Sequence, residues 1–260
     1  MIIIPAIDLK GGRCVRLLQG REDREIVFSH SPSAVAKRWE EAGAELIHVV
    51  DLDGAFKGKP VNREAIREIV DAVSVPIQLG GGIRSLASIE ETFASGVNRV
   101  VLGTVAIQDP GLVGKACKKF PGRILVTIDA KDGMVVVKGW VEESTVTASE
   151  LAKRLEAVGV AAVVFTDIKR DGMMVGPNIQ AAKELAQSVS IPVIISGGIS
   201  SLNDIREIIP LKAAGITGMI IGRAIYDGSV DLRAAIDLVK ESRGKQQGIK
   251  YRGEVAKGRR

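Results

Sequence analysis

The chain carries the same half twice. Residues 78–89, QLGGGIRSLASI, return as IISGGISSLNDI at 194–205, an offset of 116 positions. VVDLDGA at 49–55 aligns at that same offset of 116 with FTDIKRDG at 165–172, through Asp51 and Asp167. VVLGTVAI at 100–107 resembles MIIGRAIY at 219–226 with an offset of 119, and Asp8 stands 121 positions before Asp129. Four matched pairs in one order define a duplication with halves of about 1–122 and 123–243. Any fold for this chain must therefore be built from two equivalent units.

Each unit alternates short apolar runs with amphipathic stretches. Strands are expected near residues 2–8, 46–51, 76–79, 99–103, 124–129, 161–166, 192–196 and 218–222. Helices are expected to start at Ser31-Pro32, Asn62, Ser85, Thr147 and Ser201, with Gly43 and Gly96 as stops and Pro210 ending or kinking the last. Runs such as HVVDL, AVVFTD and PVIISGG suit parallel strands buried on both faces. With 46% hydrophobic but only 3% aromatic residues, the core must be aliphatic. Eight strand–helix repeats in this length favour closure into an α/β, (β/α)8 TIM barrel, two (β/α)4 halves in a single domain over residues 1–243.

The formal charge of +5 raises the question of a nucleic-acid partner. Residues 244–260, GKQQGIKYRGEVAKGRR, hold six Lys/Arg and one Glu, so the tail carries all of the excess. A neutral body with a polar basic end is expected to bind neither nucleic acid nor membrane, and the tail is expected to be disordered. The two cysteines, Cys14 and Cys117, form no CxxC, and neither a disulfide nor a metal site is expected. MIIIPAIDL lacks a basic n-region and a cleavage site, and no run reaches membrane-spanning length. A reducing, cytoplasmic setting and a monomer are the expectation.

In such a barrel the C-terminal strand ends face the active site. Asp8 ends strand 1 and Asp129 ends strand 5, so the twofold sets them across the mouth from each other. One Asp at a strand end commonly caps the next loop. Two at equivalent positions suggest a carboxylate pair whose environments separate a base from an acid. GGGIR after strand 3, with Gly81 and Gly82, and SGGIS after strand 7, with Gly197 and Gly198, open turns whose backbone N–H groups can cradle a phosphate. LGT, with Gly103 and Thr104, and IGRA, with Gly222 and Arg223, add the neighbouring strand end in each half. The expected ligand has a phosphate at each end and its reacting atoms between the aspartates. Thr166 ends strand 6 at the mouth. Trp140 has the shape to stack on a flat ring or simply anchor a loop, and Arg16 and Arg84 can pair with phosphate or lie in solvent. His48 and His30 have no metal-ligand spacing and suit core packing or a local hydrogen bond. No GxGxxG or GxxxxGK[ST] loop is present, and no cofactor is expected.

PAIDLKGGRCVRL, HVVDLDGA, QLGGGIRS, VVLGT, TIDAKDG, KGW, TDIKRDG, ISGGISS and IIGRAIY together resemble the phosphoribosylformimino-5-aminoimidazole carboxamide ribotide isomerases of histidine biosynthesis, over residues 1 to about 241. The resemblance implies a (β/α)8 barrel performing an Amadori rearrangement on a bisphosphate substrate without cofactor. It implies Asp8 as proton acceptor, Asp129 as proton donor and Thr166 as an orienting group. It puts Trp140 on the imidazole carboxamide and the glycine loops on the phosphates. It extends the substrate contacts to Gly20 and to Asp171-Gly172 of the RDG loop. Met173-Met174 depart from the usual Thr after RDG. The alternatives are a dual-substrate isomerase also acting on phosphoribosyl anthranilate, the synthase subunit of imidazole glycerol phosphate synthase, and a non-catalytic phosphosugar-binding barrel. AIDLKGG, Asp167 and KGW separate this chain from the synthase pattern, and both strand-end aspartates separate it from a mere binder.

Overall fold

The computed structural model describes residues 1–17, 24–137 and 142–243. Eight parallel strands form a ring: β1 (Ile2–Lys10), β2 (Ile47–Asp51), β3 (Ile77–Gly80), β4 (Arg99–Leu102), β5 (Ile124–Lys131), β6 (Ala162–Asp167), β7 (Val193–Ser196) and β8 (Ile216–Ile221). Each pairs with the next in chain order, the β5–β6 ladder joins the halves, and β8 pairs with β1 to close the barrel. No sheet edge is left within the ring, which is how a barrel avoids open strand pairing.

Alternation along each strand sorts two cores. On β1, Ile3, Ile7 and Leu9 face the helices, while Ile4 and Ala6 point into the barrel. Ile4 and Ala6 pack there with Leu46, Val101, Leu125, Ala162, Val164, Ile194 and Ile220. The next inward position on β1 is Asp8. Short aliphatic side chains fill the lower barrel, so the strand stays apolar until it reaches the mouth.

The helices follow their caps. α1 (Pro32–Glu41), α2 (Arg63–Ala72), α3 (Leu86–Ala94), α4 (Pro110–Lys119), α5 (Ala148–Ala157), α6 (Ile179–Gln187), α7 (Leu202–Ile208) and α8 (residues 232–243) surround the ring. Ser85 and Ser201, 116 positions apart, both close capping boxes, with Ser88 N–H and Asp204 N–H donating to their hydroxyls. Thr147 does the same for Glu150 N–H. Ser31 and Asn62 start helices as expected but make no side-chain cap. The chain after α7 tightens into a 3-10 turn over Ile209–Ala214, where Pro210 cannot donate to an α-helical ladder.

Two differences from the sequence reading bear on the site. After strand 5 the chain turns back into a hairpin, Met134–Val137 with Glu142–Thr147. A matching one, Arg13–Leu17 with Glu25–Ser29, follows strand 1 and lengthens β1 past Asp8. Three short helices, Leu52–Lys57, Val105–Gln108 and Arg223–Tyr226, also lie at strand ends. Gly20, Trp140 and the 244–260 tail fall outside the described residues.

Candidate functional site

The C-terminal strand ends enclose a cavity of about 240 Å³, and beside it a smaller one of about 30 Å³. Asp8, Arg16, Gly81, Gly82, Arg84, Gly103, Thr104, Asp129, Thr166 and Asp171 line the larger. Gly172, Gly197, Gly198, Gly222 and Arg223 line the smaller. Arg16 and Asp171 belong to both walls.

Asp8 is buried, at 9% exposure. Burial raises its pKa above the usual carboxylate value, against the pull of Arg16 and with help from the negative Asp171. Arg16 Nη1 donates to Asp8 Oδ2 at 2.7 Å, and Arg16 Nη2 donates to Asp171 Oδ2. Burial works against the Arg16 charge, but Asp171 and Asp8 outweigh it and raise its pKa further. The hairpin after β1 thus delivers a fixed cation between two carboxylates that are far apart in sequence.

On the opposite wall, Asp129 Oδ1 accepts from Thr127 Oγ1 at 2.8 Å. Both residues sit on β5 two positions apart, so strand period alone places them on one face. Thr166 lies directly beside Asp129 across the β5–β6 ladder, and Ser196 lies on its other side. Thr127 and Ser196 were not singled out from the sequence, although the period-2 pattern was available for Thr127.

The glycine turns are held by a frame. Asp51, wholly buried, accepts from Gly54 N, Val61 N, Asn62 N and Asn62 Nδ2 at 2.7–3.1 Å. Asn62 Oδ1 accepts from Gly12 N, and Asp53 Oδ2 accepts from Gly11 N and Asn62 Nδ2. The Gly11-Gly12 turn is therefore tied to the loop after β2. In the second half Asp167 accepts from Lys169 N and Asn178 Nδ2, and Asn178 is the counterpart of Asn62. Gly82 and Gly198 both have positive φ, +73° and +83°. A Cβ there would stand 2.7 Å from Gly54 O and 2.4 Å from Gly176 O respectively, so both need glycine for backbone approach.

Other expected residues sit at the rim. Arg84 Nη2 donates to Ala55 O, and Arg223 Nη1 donates to Gly172 O, each pinning the loop that faces it. Leu52, Ala55 and Phe56 give the first-half lip an apolar surface. Met174, beside the smaller cavity, holds φ +58°, a conformation rarely taken by a bulky residue. His48 is buried, as core packing requires, but it also lines the larger cavity. Among the described residues, no group of three or more His, Cys, Asp or Glu is placed to hold a metal ion, and no helix is long and apolar enough to cross a membrane.

Fold and mouth together define a duplicated (β/α)8 barrel whose ionisable groups converge at its C-terminal strand ends. The chain belongs to the histidine biosynthesis protein family, whose model matches residues 2–231. A relative from Trichlorobacter lovleyi is 57% identical over 240 residues, covering 92% of this chain and 98% of its own. One from Geotalea daltonii is 58% identical over 240 residues, with the same 92% and 98% coverage. One from Geobacter sulfurreducens is 55% identical over 240 residues, again covering 92% and 98%. All three carry the name 1-(5-phosphoribosyl)-5-((5-phosphoribosylamino)methylideneamino) imidazole-4-carboxamide isomerase.

Proposed function

We propose that this chain catalyses the reaction for which these relatives are named, converting the bisphosphorylated aminoaldose to the aminoketose in histidine biosynthesis. The observation that carries the reading is the pair Asp8 and Asp129, on facing walls of one cavity, with a glycine-turn recess in each half. Residues 1–243 are taken as a single domain acting as a monomer in the cytoplasm, with no nucleic-acid partner.

The chemistry needs two proton transfers and no redox step. Asp129 gives a proton to the furanose ring oxygen, opening the aminoaldose to a Schiff base. Asp8 then removes the C2 proton, and the enolamine tautomerises to the aminoketose. A base works best when its pKa lies toward the working pH, and burial moves Asp8 in that direction. Thr127 orients the Asp129 carboxyl, and Thr166 supports it from the adjacent strand. Backbone N–H groups at Gly81-Gly82 with Gly103-Thr104, and at Gly197-Gly198 with Gly222-Arg223, receive the two phosphates. Trp140 and Gly20 are assigned to the substrate from the family resemblance alone.

The test is direct. Purified protein given the aminoaldose should form the aminoketose, followed by absorbance through the downstream synthase. A parallel assay with phosphoribosyl anthranilate decides between a single-substrate and a dual-substrate enzyme. No turnover of either compound would refute the assignment.

A further inference from the structure

The duplication is broken at one buried pair. His48 on β2 and Gln78 on β3 face each other in register, and 116 positions later Val164 and Ile194 face each other on β6 and β7. All four are buried inside the barrel, with exposures of 8%, 0%, 3% and 4%. His48 and Val164 line the larger cavity, whereas Gln78 and Ile194 stand behind them. The second half shows that two aliphatic side chains fill this space. Polar groups in an apolar interior cost free energy unless they have partners, so packing alone does not account for a histidine and a glutamine here.

Their contact has a direction. Gln78 Nε2 lies 3.0 Å from His48 Nδ1. With the amide placed this way Gln78 Nε2 donates, Nδ1 accepts and the ring proton sits on Nε2, while Gln78 Oε1 is buried without a partner. With Nδ1 engaged by Gln78, the Nε2 edge is the one left for the cavity.

We propose that His48 is a substrate-contacting residue, presenting Nε2–H as a fixed hydrogen-bond donor to a sugar oxygen of the bound phosphosugar, with Gln78 as the positioning residue that sets its tautomer. Burial pushes the ring pKa down to about 4 from 6.5, so the imidazole is uncharged at neutral pH. That suits the place. His48 pairs across the β1–β2 ladder with Ala6, one inward position below Asp8. Arg16 already sets one cation against Asp8, and an uncharged donor holds the sugar without adding a second. The asymmetry also gives the mouth a direction: in this layer the first half offers an imidazole and the second half the Thr127 hydroxyl, which donates to Asp129. The proposal rests on the isomerase reading above.

Two measurements test it. The chain has only two histidines, His30 and His48, so 15N spectra of the labelled imidazoles are simple to assign. At neutral pH His48 should carry its proton on Nε2 and none on Nδ1. The double variant His48→Val/Gln78→Ile copies the second half's own pair and removes both polar partners together, which keeps the fold. Its kcat/KM for the aminoaldose should fall about tenfold, the size of one net hydrogen bond. His48→Gln, which retains an N–H donor, should recover part of that loss. Native kcat/KM in the double variant overturns the proposal, as does a proton on Nδ1 or an imidazolium at neutral pH. Wild-type protein assayed alongside separates the two readings: inert wild type removes the isomerase assignment itself, and active wild type beside an unimpaired double variant removes only the role of His48.

Discussion

The loop after β2 and the loop after β6 descend from one ancestral loop and now do different things. In the first half, Asp51 is wholly buried and takes four hydrogen bonds, and Gly54 packs so close that a Cβ would meet Asp51 Oδ2 at 2.6 Å. In the second half, Arg170 occupies the position of Gly54, and Asp167 accepts two hydrogen bonds with the Arg170 guanidinium 3.9 Å away. That looser loop carries Asp171 into the mouth, where Arg16 meets it. The first-half counterpart of Asp171 is Ala55, part of the apolar lip. Duplication supplied two copies of a frame. The copies diverge around the shared Asp8 and Asp129: a charged group on one side, an apolar lip and the His48–Gln78 floor on the other.

The strongest way to break this comparison is through the strand-end aspartate, which both halves keep. Asp8→Asn and Asp129→Asn should each lower kcat by roughly 10²–10⁴-fold, as expected when a proton-transfer group is lost. Substrate affinity should change far less, because the glycine turns proposed to hold the phosphates lie elsewhere. In the native enzyme, activity should fall as pH drops through the pKa of Asp8, at a pH above the ordinary carboxylate range, since burial raises that pKa. A pH–rate profile shows the limb directly. Near-native turnover in either variant would mean that the two halves do not share the work.

A smaller effect should sharpen the contrast. Asp51→Ala leaves several donors without acceptors in a buried frame and should cost about 3–4 kcal/mol of stability. Asp167→Ala should cost about 1–2 kcal/mol, since fewer bonds are lost at a more open site. Urea unfolding of both variants measures the difference. Equal losses would show the two frames to be equivalent after all.

The smallest expected effect lies outside both halves. Deleting residues 244–260 should leave kcat and the melting temperature unchanged. Extending the deletion through Arg243 should cost on the order of 1 kcal/mol, because that side chain donates to the Met1 carbonyl and lies 3.5 Å from Glu45. Calorimetry on the two truncations separates them, and a drop already present in the first would assign the tail a packing role.

Much of the architecture was legible because duplication turns weak motifs into paired ones. A single Gly-Gly is ambiguous, but Gly82 and Gly198 at matched positions after matched strands point to a shared backbone requirement. Capping was legible where the side chain has no better partner, as at Ser85 and Ser201. At Asn62 the chain turned as expected, yet the amide serves Asp51, Asp53 and Gly12 instead of the helix. The bridge from Arg16 to Asp171 spans 155 positions, and no local pattern announces such a contact. The hairpin after β1 was missed because GGRCVRLL lacks clean alternation and its partner strand is separated from it by residues 18–24. His48 was visible as a residue, but its partner was not, since Gln78 is polar at a position where strand logic expects a hydrophobe.

The bond from Arg243 to Met1 bears on how the chain is strung rather than on how it works. The first strand lies in register against the last, and the final helix returns to the starting residue, on the side of the ring away from the mouth. The order in which the halves are translated is therefore arbitrary with respect to the site. A circular permutant opened at Pro121-Gly122, where a side chain on Gly122 would meet nothing within 4 Å, would read the second half first and still assemble the same mouth. The seam between the start and end of the polypeptide is a joint like the one between the halves, and the barrel treats the two alike.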